Sequence, residues 1–186
     1  MAARTVVIFT TGPAGSGKSY VRCPVFLLKE FLPEREGVHW SNFPLGEVPV
    51  DHRDPPQFPG ETFVDRIAEE LADCRNMDAE SVRERVRVIP EEELQRWQEV
   101  PDRATLRANG GKLPPDWPGP WSFFENQDIA GAHIAIDEIH NFCGRKTHTA
   151  IRTAWQTWLG EIRHRGATVE FLSQSPMKVA KEIGYE

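Results

Sequence analysis

The residues with the clearest chemical potential lie near the amino terminus, in the segment GPAGSGKSY. Gly12 to Ser19 fit the pattern G-x-x-x-x-G-K-[ST] between an apolar strand and a helix, which is the context that the pattern requires. Its glycines let backbone N–H groups surround phosphate oxygens, and the helix adds its positive end. Lys18 is expected to reach the β- and γ-phosphates, and the Ser19 hydroxyl to bind Mg²⁺. The pattern predicts that ATP and Mg²⁺ bind here, with the nucleotide held by Gly12, Pro13, Ala14, Gly15, Ser16, Gly17, Lys18, Ser19 and Tyr20.

A second group of polar residues follows the apolar stretch of AHIAIDEIH. Ligands of open α/β sheets bind at the carboxyl ends of the strands, where Asp137 is expected. We predict that Asp137 holds Mg²⁺ through water and that Glu138 is the general base that orients the attacking water. The alternative is that the two acids only begin the next helix.

Three further residues flank the last strand, ATVEFLSQS. Gln174 ends this strand and would reach the γ-phosphate or the attacking water if the strand lies between the first strand and that of Asp137; otherwise it caps a turn. Arg163 and Arg165 precede the strand. Either could reach the γ-phosphate of a neighbouring subunit as an arginine finger, or be ordinary surface charge.

Histidine and cysteine spacing argues against a structural metal site. His133, His140, His148 and His164 match no zinc signature, and no paired cysteine accompanies them. The cysteines, Cys23, Cys74 and Cys143, are odd in number and widely spaced, which fits a reducing cytosol.

The remaining pattern defines the elements that must position these residues. Strands alternate with helices, which predicts an α/β fold with a mainly parallel sheet, the three-layer α/β/α sandwich of P-loop NTPases. Residues 81–88 fit a helix or a strand equally. The predicted strands are Val6–Thr10, GVHWSNFPL with a turn at Ser41–Asn42, AHIAIDEIH and ATVEFLSQS; the predicted helices are Tyr20–Phe31, Phe63–Cys74, one beginning at Pro90, Ala150–Ile162 and the short PMKVAKEIG; the predicted loops are 44–62 and 109–121.

Length and charge set the limits of the interpretation. The chain has 186 residues, 39% of them hydrophobic, and a formal charge of −6, so we expect one domain over 1–186 and no general affinity for polyanions. Residues 61–102 contain 13 Asp/Glu and 6 Lys/Arg, whereas residues 139–181 contain 7 Lys/Arg and 2 Asp/Glu. The basic segment includes Trp155 and Trp158, which leaves a nucleic-acid contact open.

No run reaches the roughly 20 apolar residues of a membrane span, so a cytoplasmic location is expected.

These motifs, in this order, resemble the ATPase domain of zonula occludens toxin-like proteins, which are related to filamentous-phage assembly ATPases. Asn42 to Leu45 match a strand that ends in an Asn-containing turn. The segment IAIDEIHNFCGR matches an Asp-Glu pair followed by an aromatic residue and an arginine, here Phe142 and Arg145. The segment IRHRGATVEFLSQSP matches an Arg-His-Arg stretch before a strand that ends in Gln.

The resemblance covers about half of the chain and implies a specific biology. It implies an additional-strand P-loop ATPase of the RecA- and FtsK/HerA-like group, which works as a homo-oligomeric ring. It also implies partners: DNA, phage or secretion-complex proteins, and an inner-membrane complex. Members of the family usually continue into a transmembrane segment, so we expect this chain to be either a fragment that is anchored through a segment beyond residue 186 or a soluble variant. The phosphate loop is complete here although it is often degenerate in the family, and the acidic helical and loop insertion at about 44–128 matches nothing that we can name.

Three other functions remain open. Asp137 to His140 spell a DExH box, which suits a helicase or a DNA-packaging motor, although 186 residues hold only one ATPase lobe. The phosphate loop also suits a small-molecule kinase, but an acceptor-binding acid is not evident after the second strand. A nucleotide-gated assembly module with little hydrolysis is the non-enzymatic alternative.

Overall fold

The computed structural model describes residues 7–12, 31–34, 36–43, 45 and 60–183, with the backbone alone for Arg163 and Glu182. Most of the phosphate loop, the predicted helix over residues 20–31 and most of the predicted loop over residues 44–62 therefore lie outside the described residues.

The centre of the fold is a five-stranded sheet in which every pair of neighbouring strands is parallel. Consecutive apolar residues form its inner strands because a parallel sheet is covered on both faces. The order across the sheet is β1-β5-β4-β2-β3. The strands are β1 (Val7–Thr11), β2 (His39–Ser41), β3 (Val86–Val88), β4 (His133–Ile136) and β5 (Thr168–Ser173).

This order confirms the α/β prediction and settles where the last strand lies. β5 lies between β1 and β4. This is the position that Gln174 requires if it is to reach the γ-phosphate or the attacking water. Parallel strands present their carboxyl ends at one edge of a sheet, and the residues that follow β1, β4 and β5 therefore meet there.

Helices cover the sheet and fill the connections between strands. The longest, α7, spans Thr149–His164 and agrees with the helix predicted over Ala150–Ile162. A capping box in which Thr62 and Asp65 exchange hydrogen bonds begins α2, and Asn76 ends it in a left-handed conformation. The helices are α1 (Leu32–Glu34), α2 (Phe63–Arg75), α3 (Ala79–Arg85), α4 (Glu91–Arg96), α5 (Arg103–Ala108), α6 (Pro120–Glu125) and α7, with 3₁₀ turns at Ile139–Asn141, Pro176–Lys178 and Lys181–Ile183.

Two predicted segments differ from the structure. Residues 81–88 are helix as far as Arg85 and strand from Val86, because Val86 and Val88 pair with β2. The insertion was expected to be helix and loop, but it supplies the edge strand β3 to the central sheet. The helix expected over PMKVAKEIG is instead two 3₁₀ turns, separated where Val179 bridges to Gly144.

The core has two parts, one on each face of the sheet. One face carries Ala135 and Leu172 and packs against α2 and α3. The other carries Ile134 and Phe171 and packs against an aromatic cluster that includes Trp155 and Trp158. These two tryptophans are 0% and 4% exposed, so they belong to the core and correct the suggestion that they contact nucleic acid.

Among the described helices, none combines the length and the apolar character that crossing a membrane requires.

Candidate functional site

The carboxyl edge of the sheet collects the polar residues singled out above. The Gly12 N–H donates to the Ser173 carbonyl over 3.3 Å, which places the first residue of the phosphate-loop pattern beside the end of β5. Asp137 and Glu138 follow β4, and Gln174 follows β5. The predicted nucleotide-binding residues from Pro13 to Tyr20, Lys18 and Ser19 among them, lie outside the described residues.

Asn42, at the end of β2, forms hydrogen bonds with both the N–H and the carbonyl of Asp137. Its Oδ1 accepts from the Asp137 N–H at 2.7 Å, and its Nδ2 donates to the Asp137 carbonyl at 3.0 Å. The Asp137 carboxylate in turn accepts from the Glu138 N–H at 2.8 Å. These bonds fix the chain at the point where β4 ends.

Glu138 occupies the left-handed region, with φ 51° and ψ 40°. A side chain other than glycine costs about 1–2 kcal/mol there. Such conformations persist only where surrounding contacts enforce them, and they are concentrated at functional sites. The bonds around Asp137 supply that constraint and aim the Glu138 side chain across the edge of the sheet.

Two side chains contact the Glu138 carboxylate. Gln174 Nε2 donates to Oε1 over 3.2 Å, and His140 Nδ1 lies 3.1 Å from Oε2. The Ser173 hydroxyl donates to the Ser175 carbonyl at 3.2 Å and lies 3.2 Å from the same His140 nitrogen. Nδ1 of His140 therefore lies within reach of both the Ser173 hydroxyl and the Glu138 carboxylate.

The two arginines lie elsewhere. Arg165 precedes β5 and therefore lies at the opposite, amino-terminal edge of the sheet from Glu138. Its guanidinium donates to the carbonyls of Phe124 at 2.8 Å and Gln127 at 2.6 Å. The Arg163 side chain lies outside the described residues. Within one copy the structure does not bring Arg165 to Glu138, and a role in a neighbouring subunit stays a prediction.

A row of buried polar side chains crosses four adjacent strands, and the sequence pattern did not predict it. The Thr10 hydroxyl donates to Glu170 Oε1 at 2.6 Å, and Glu170 Oε2 lies 3.3 Å from His133 Nε2. The Nδ1 atoms of His133 and His39 are 2.9 Å apart. His39, His133 and Glu170 are each 0% exposed. The available signal was Glu170 itself, a carboxylate in the middle of an otherwise apolar strand.

Burial lowers the pKa of His39 well below its usual 6.5, and the neighbouring His133 ring lowers it further. Desolvation disfavours the charged imidazolium, so His39 is neutral in the folded protein at physiological pH. Among the described residues, no group of three His, Cys, Asp or Glu side chains could hold a metal ion.

Comparison with known proteins gives structural similarity at low sequence identity. No family model matches the chain, and no curated protein matches it. The N-terminal domain of zonular occludens toxin from Neisseria meningitidis is 13% identical, with 97% of this chain and 72% of that chain covered and a TM-score of 0.44. The genome packaging NTPase B204 from Sulfolobus turreted icosahedral virus 2 in complex with AMP is 15% identical, with coverage of 98% and 71% and a TM-score of 0.44.

The same packaging NTPase in complex with ATP-gammaS is 14% identical, with coverage of 98% and 72% and a TM-score of 0.40. The zonular occludens toxin domain is of the kind of protein that the sequence motifs resemble. The described part of this chain is an α/β protein with an all-parallel sheet in which β5 lies between β1 and β4.

Proposed function

We propose that the protein is a Mg²⁺-dependent ATPase and that it is the cytoplasmic motor domain of a machine that assembles phage or exports or packages DNA. One observation carries the enzymatic part of the proposal. Gly12, Glu138 and Gln174 follow three adjacent strands at one edge of the sheet, and Gly12 begins a complete phosphate-loop pattern.

We propose a role for each residue of the site. Lys18 and the backbone of the phosphate loop bind the phosphates. Glu138 orients the attacking water and accepts its proton, and His140 holds the carboxylate in place. Gln174 acts as a positioning residue through Glu138, because its amide donates to Oε1 and controls when that oxygen can accept from the water.

Asp137 and Ser19 are the residues that would hold Mg²⁺. Carboxylate and hydroxyl oxygens are ligands that Mg²⁺ prefers, and Asn42 fixes the backbone from which the Asp137 carboxylate extends. The ion would neutralise charge on the phosphates.

The motor part of the proposal concerns assembly. We expect a homo-oligomeric ring in which Arg163 or Arg165 of one subunit completes the site of the next. DNA, phage proteins, secretion-complex proteins or a membrane complex would be the partners.

The first experiment is Mg²⁺-dependent ATP hydrolysis per subunit across a series of protein concentrations. A specific rate that climbs with concentration supports sites completed between subunits. A flat rate contradicts the ring but keeps the ATPase. Hydrolysis that begins only when a phosphate acceptor is added would replace the proposal with a kinase.

Substitution of Glu138 separates binding from turnover. We expect Glu138→Gln to retain ATP binding and to reduce the turnover rate by about 10²–10⁴-fold, because an amide cannot accept the proton of the attacking water. Lys18→Ala should instead lose nucleotide binding. Fluorescent-nucleotide titration and phosphate release measure the two properties. Glu99→Gln, at an exposed position, is the matched control and should behave as wild type; full activity in Glu138→Gln would remove Glu138 from the mechanism.

A further inference from the structure

A cavity of about 330 Å³ opens beside the candidate site, beyond the ends of β4 and β5. Two segments form it: the loop after β4 and the 3₁₀ turn after β5. One of its lining residues, His140, also contacts Glu138. The cavity is lined by His140, Gly144, Arg145, Lys146, Thr147, Met177 and Lys178.

Backbone hydrogen bonds join these two segments into one framework. The Arg145 N–H donates to the Lys178 carbonyl and the Ala180 N–H to the Cys143 carbonyl, each at 3.0 Å. Gly144 bridges to Val179. The backbone of the two segments that carry the lining residues is therefore fixed.

The cavity gathers positive charge without a compensating acid. Arg145, Lys146 and Lys178 line it, and no Asp or Glu does. In the part of the chain that the structure describes, none of the three forms an ion pair with a carboxylate. The Arg145 guanidinium contacts the Met177 sulfur at 3.6 Å, and Lys178 Nζ donates to Gln174 Oε1 at 3.0 Å. Like charges around one cavity repel one another, and an anion in the cavity would relieve the repulsion.

We propose that this cavity binds the phosphodiester backbone of a nucleic acid and that Lys178 couples this binding to ATP hydrolysis. Arg145, Lys146 and Lys178 come from two segments and line one cavity, so a nucleic acid with regularly spaced phosphates can meet more than one of them. Each neutralised phosphate adds affinity through counterion release. The coupling, but not the binding, rests on the proposed ATPase function.

A continuous set of contacts runs from the cavity to the candidate base. Lys178 holds the Gln174 oxygen, and the Gln174 nitrogen donates to Glu138 Oε1 over 3.2 Å. When a phosphate binds Lys178, the hydrogen bond from Lys178 to the Gln174 side-chain oxygen is lost. The Gln174 amide can then rotate away from Glu138. The carboxylate oxygen is then available to the attacking water, so nucleic acid stimulates hydrolysis.

The direct test is binding of a fluorescently labelled 20-nucleotide DNA, measured by anisotropy without nucleotide and at several salt concentrations. We expect the double variant Arg145→Ala/Lys146→Ala to bind about tenfold more weakly and to show a shallower dependence of log affinity on log salt. Lys112→Ala, an exposed lysine outside the cavity, is the matched control and should stay within about twofold of wild type. Thermal unfolding of each variant checks that it folds.

Equal affinity in the double variant and the control would overturn the site, as would binding of inorganic polyphosphate or anionic vesicles in preference to DNA. The coupling is tested by DNA-stimulated ATP hydrolysis, which should be lost in Lys178→Ala at DNA concentrations that saturate that variant. Stimulation retained there would overturn the coupling. If wild type hydrolyses no ATP under any condition, the proposed function fails, and the anisotropy measurement still decides the binding site.

Discussion

Glu170 and two histidines lie side by side inside the sheet, where an isolated charge is costly. Thr10 donates to one carboxylate oxygen and His133 lies beside the other. His133 in turn lies against His39, whose ring it stacks on with centroids 5.1 Å apart. Nε2 of His39 has no hydrogen-bond partner in the structure. Burial of this ring lowers the pKa of His39.

The stability of the protein should fall as the pH falls below about 6.5 because of His39. The unfolded chain binds a proton at this residue below 6.5, whereas the folded protein does so only at a much lower pH. The unfolded state then binds more protons, so the free energy of unfolding decreases by up to about 1.4 kcal/mol per pH unit. Urea unfolding at pH 7.5, 6.5 and 5.5 measures the slope.

Two substitutions isolate this contribution. His39→Asn removes the titrating ring, and its stability should depend less on pH over this window than that of wild type. His164→Asn, at an exposed position at the end of α7, is the control and should keep the wild-type slope. If the free energy of unfolding depends on pH equally in wild type and His39→Asn, His39 is not the cause of the pH dependence.

The loop after β4 and the turn after β5 approach each other closely because Gly144 has no side chain. A Cβ at this position would lie 2.5 Å from the His140 carbonyl oxygen and 3.3 Å from the Lys178 carbonyl oxygen. Both contacts are with backbone, which cannot move aside as the end of a flexible side chain can. The same two segments carry His140 and Lys178, so this approach sets the geometry of both the site and the cavity.

Gly144→Ala should therefore destabilise the protein by about 1–3 kcal/mol, because the added methyl group clashes with the His140 carbonyl oxygen in the same loop and crowds that of Lys178 in the facing segment. The matched control is Gly160→Ala within α7, where an added Cβ meets nothing within 4 Å. Alanine is the better helix former, so that variant should gain about 0.5–1 kcal/mol. Thermal unfolding compares the two, and equal stability would contradict the close approach.

At the scale of the whole molecule, the acidic insertion is part of the central fold. It supplies β3 to the sheet, and its Trp97 is 3% exposed. The Trp97 ring lies 6.2 Å from that of Trp155 in α7 and 6.0 Å from that of Phe142 after β4. Apolar burial thus joins the segment that the sequence left unassigned to the segments that carry the site.

We expect Trp97→Ala to lower the free energy of unfolding by about 3–5 kcal/mol, as is typical of a large aromatic residue removed from a core. Far-ultraviolet circular dichroism and tryptophan fluorescence should still follow one common transition, because the insertion and the site share a core. Trp117→Ala, at a partly exposed position, is the control and should have a much smaller effect. Two separate transitions would show that the insertion folds independently.

The sequence by itself determined the parts of this protein that depend on local pattern. Apolar runs predicted β1, β4 and β5, and helical periodicity predicted α2 and α7, because a strand or an amphipathic helix is specified by residues near one another in the chain. The position of Asp137 and Glu138 at a strand end followed in the same way, and the phosphate-loop pattern needs no tertiary information. The roles of these residues stay predictions.

The tertiary structure decided what depends on distant segments. Residues 81–88 fit two local structures equally, and pairing with β2 selected a strand from Val86 onward. Pairing of β5 with both β1 and β4 brought Gln174 to Glu138 across 36 positions of sequence. Thr10 and Glu170 meet across 160 positions. Such contacts leave no local signal because the free energy that favours them, burial of one segment against another, exists only once the sheet has formed.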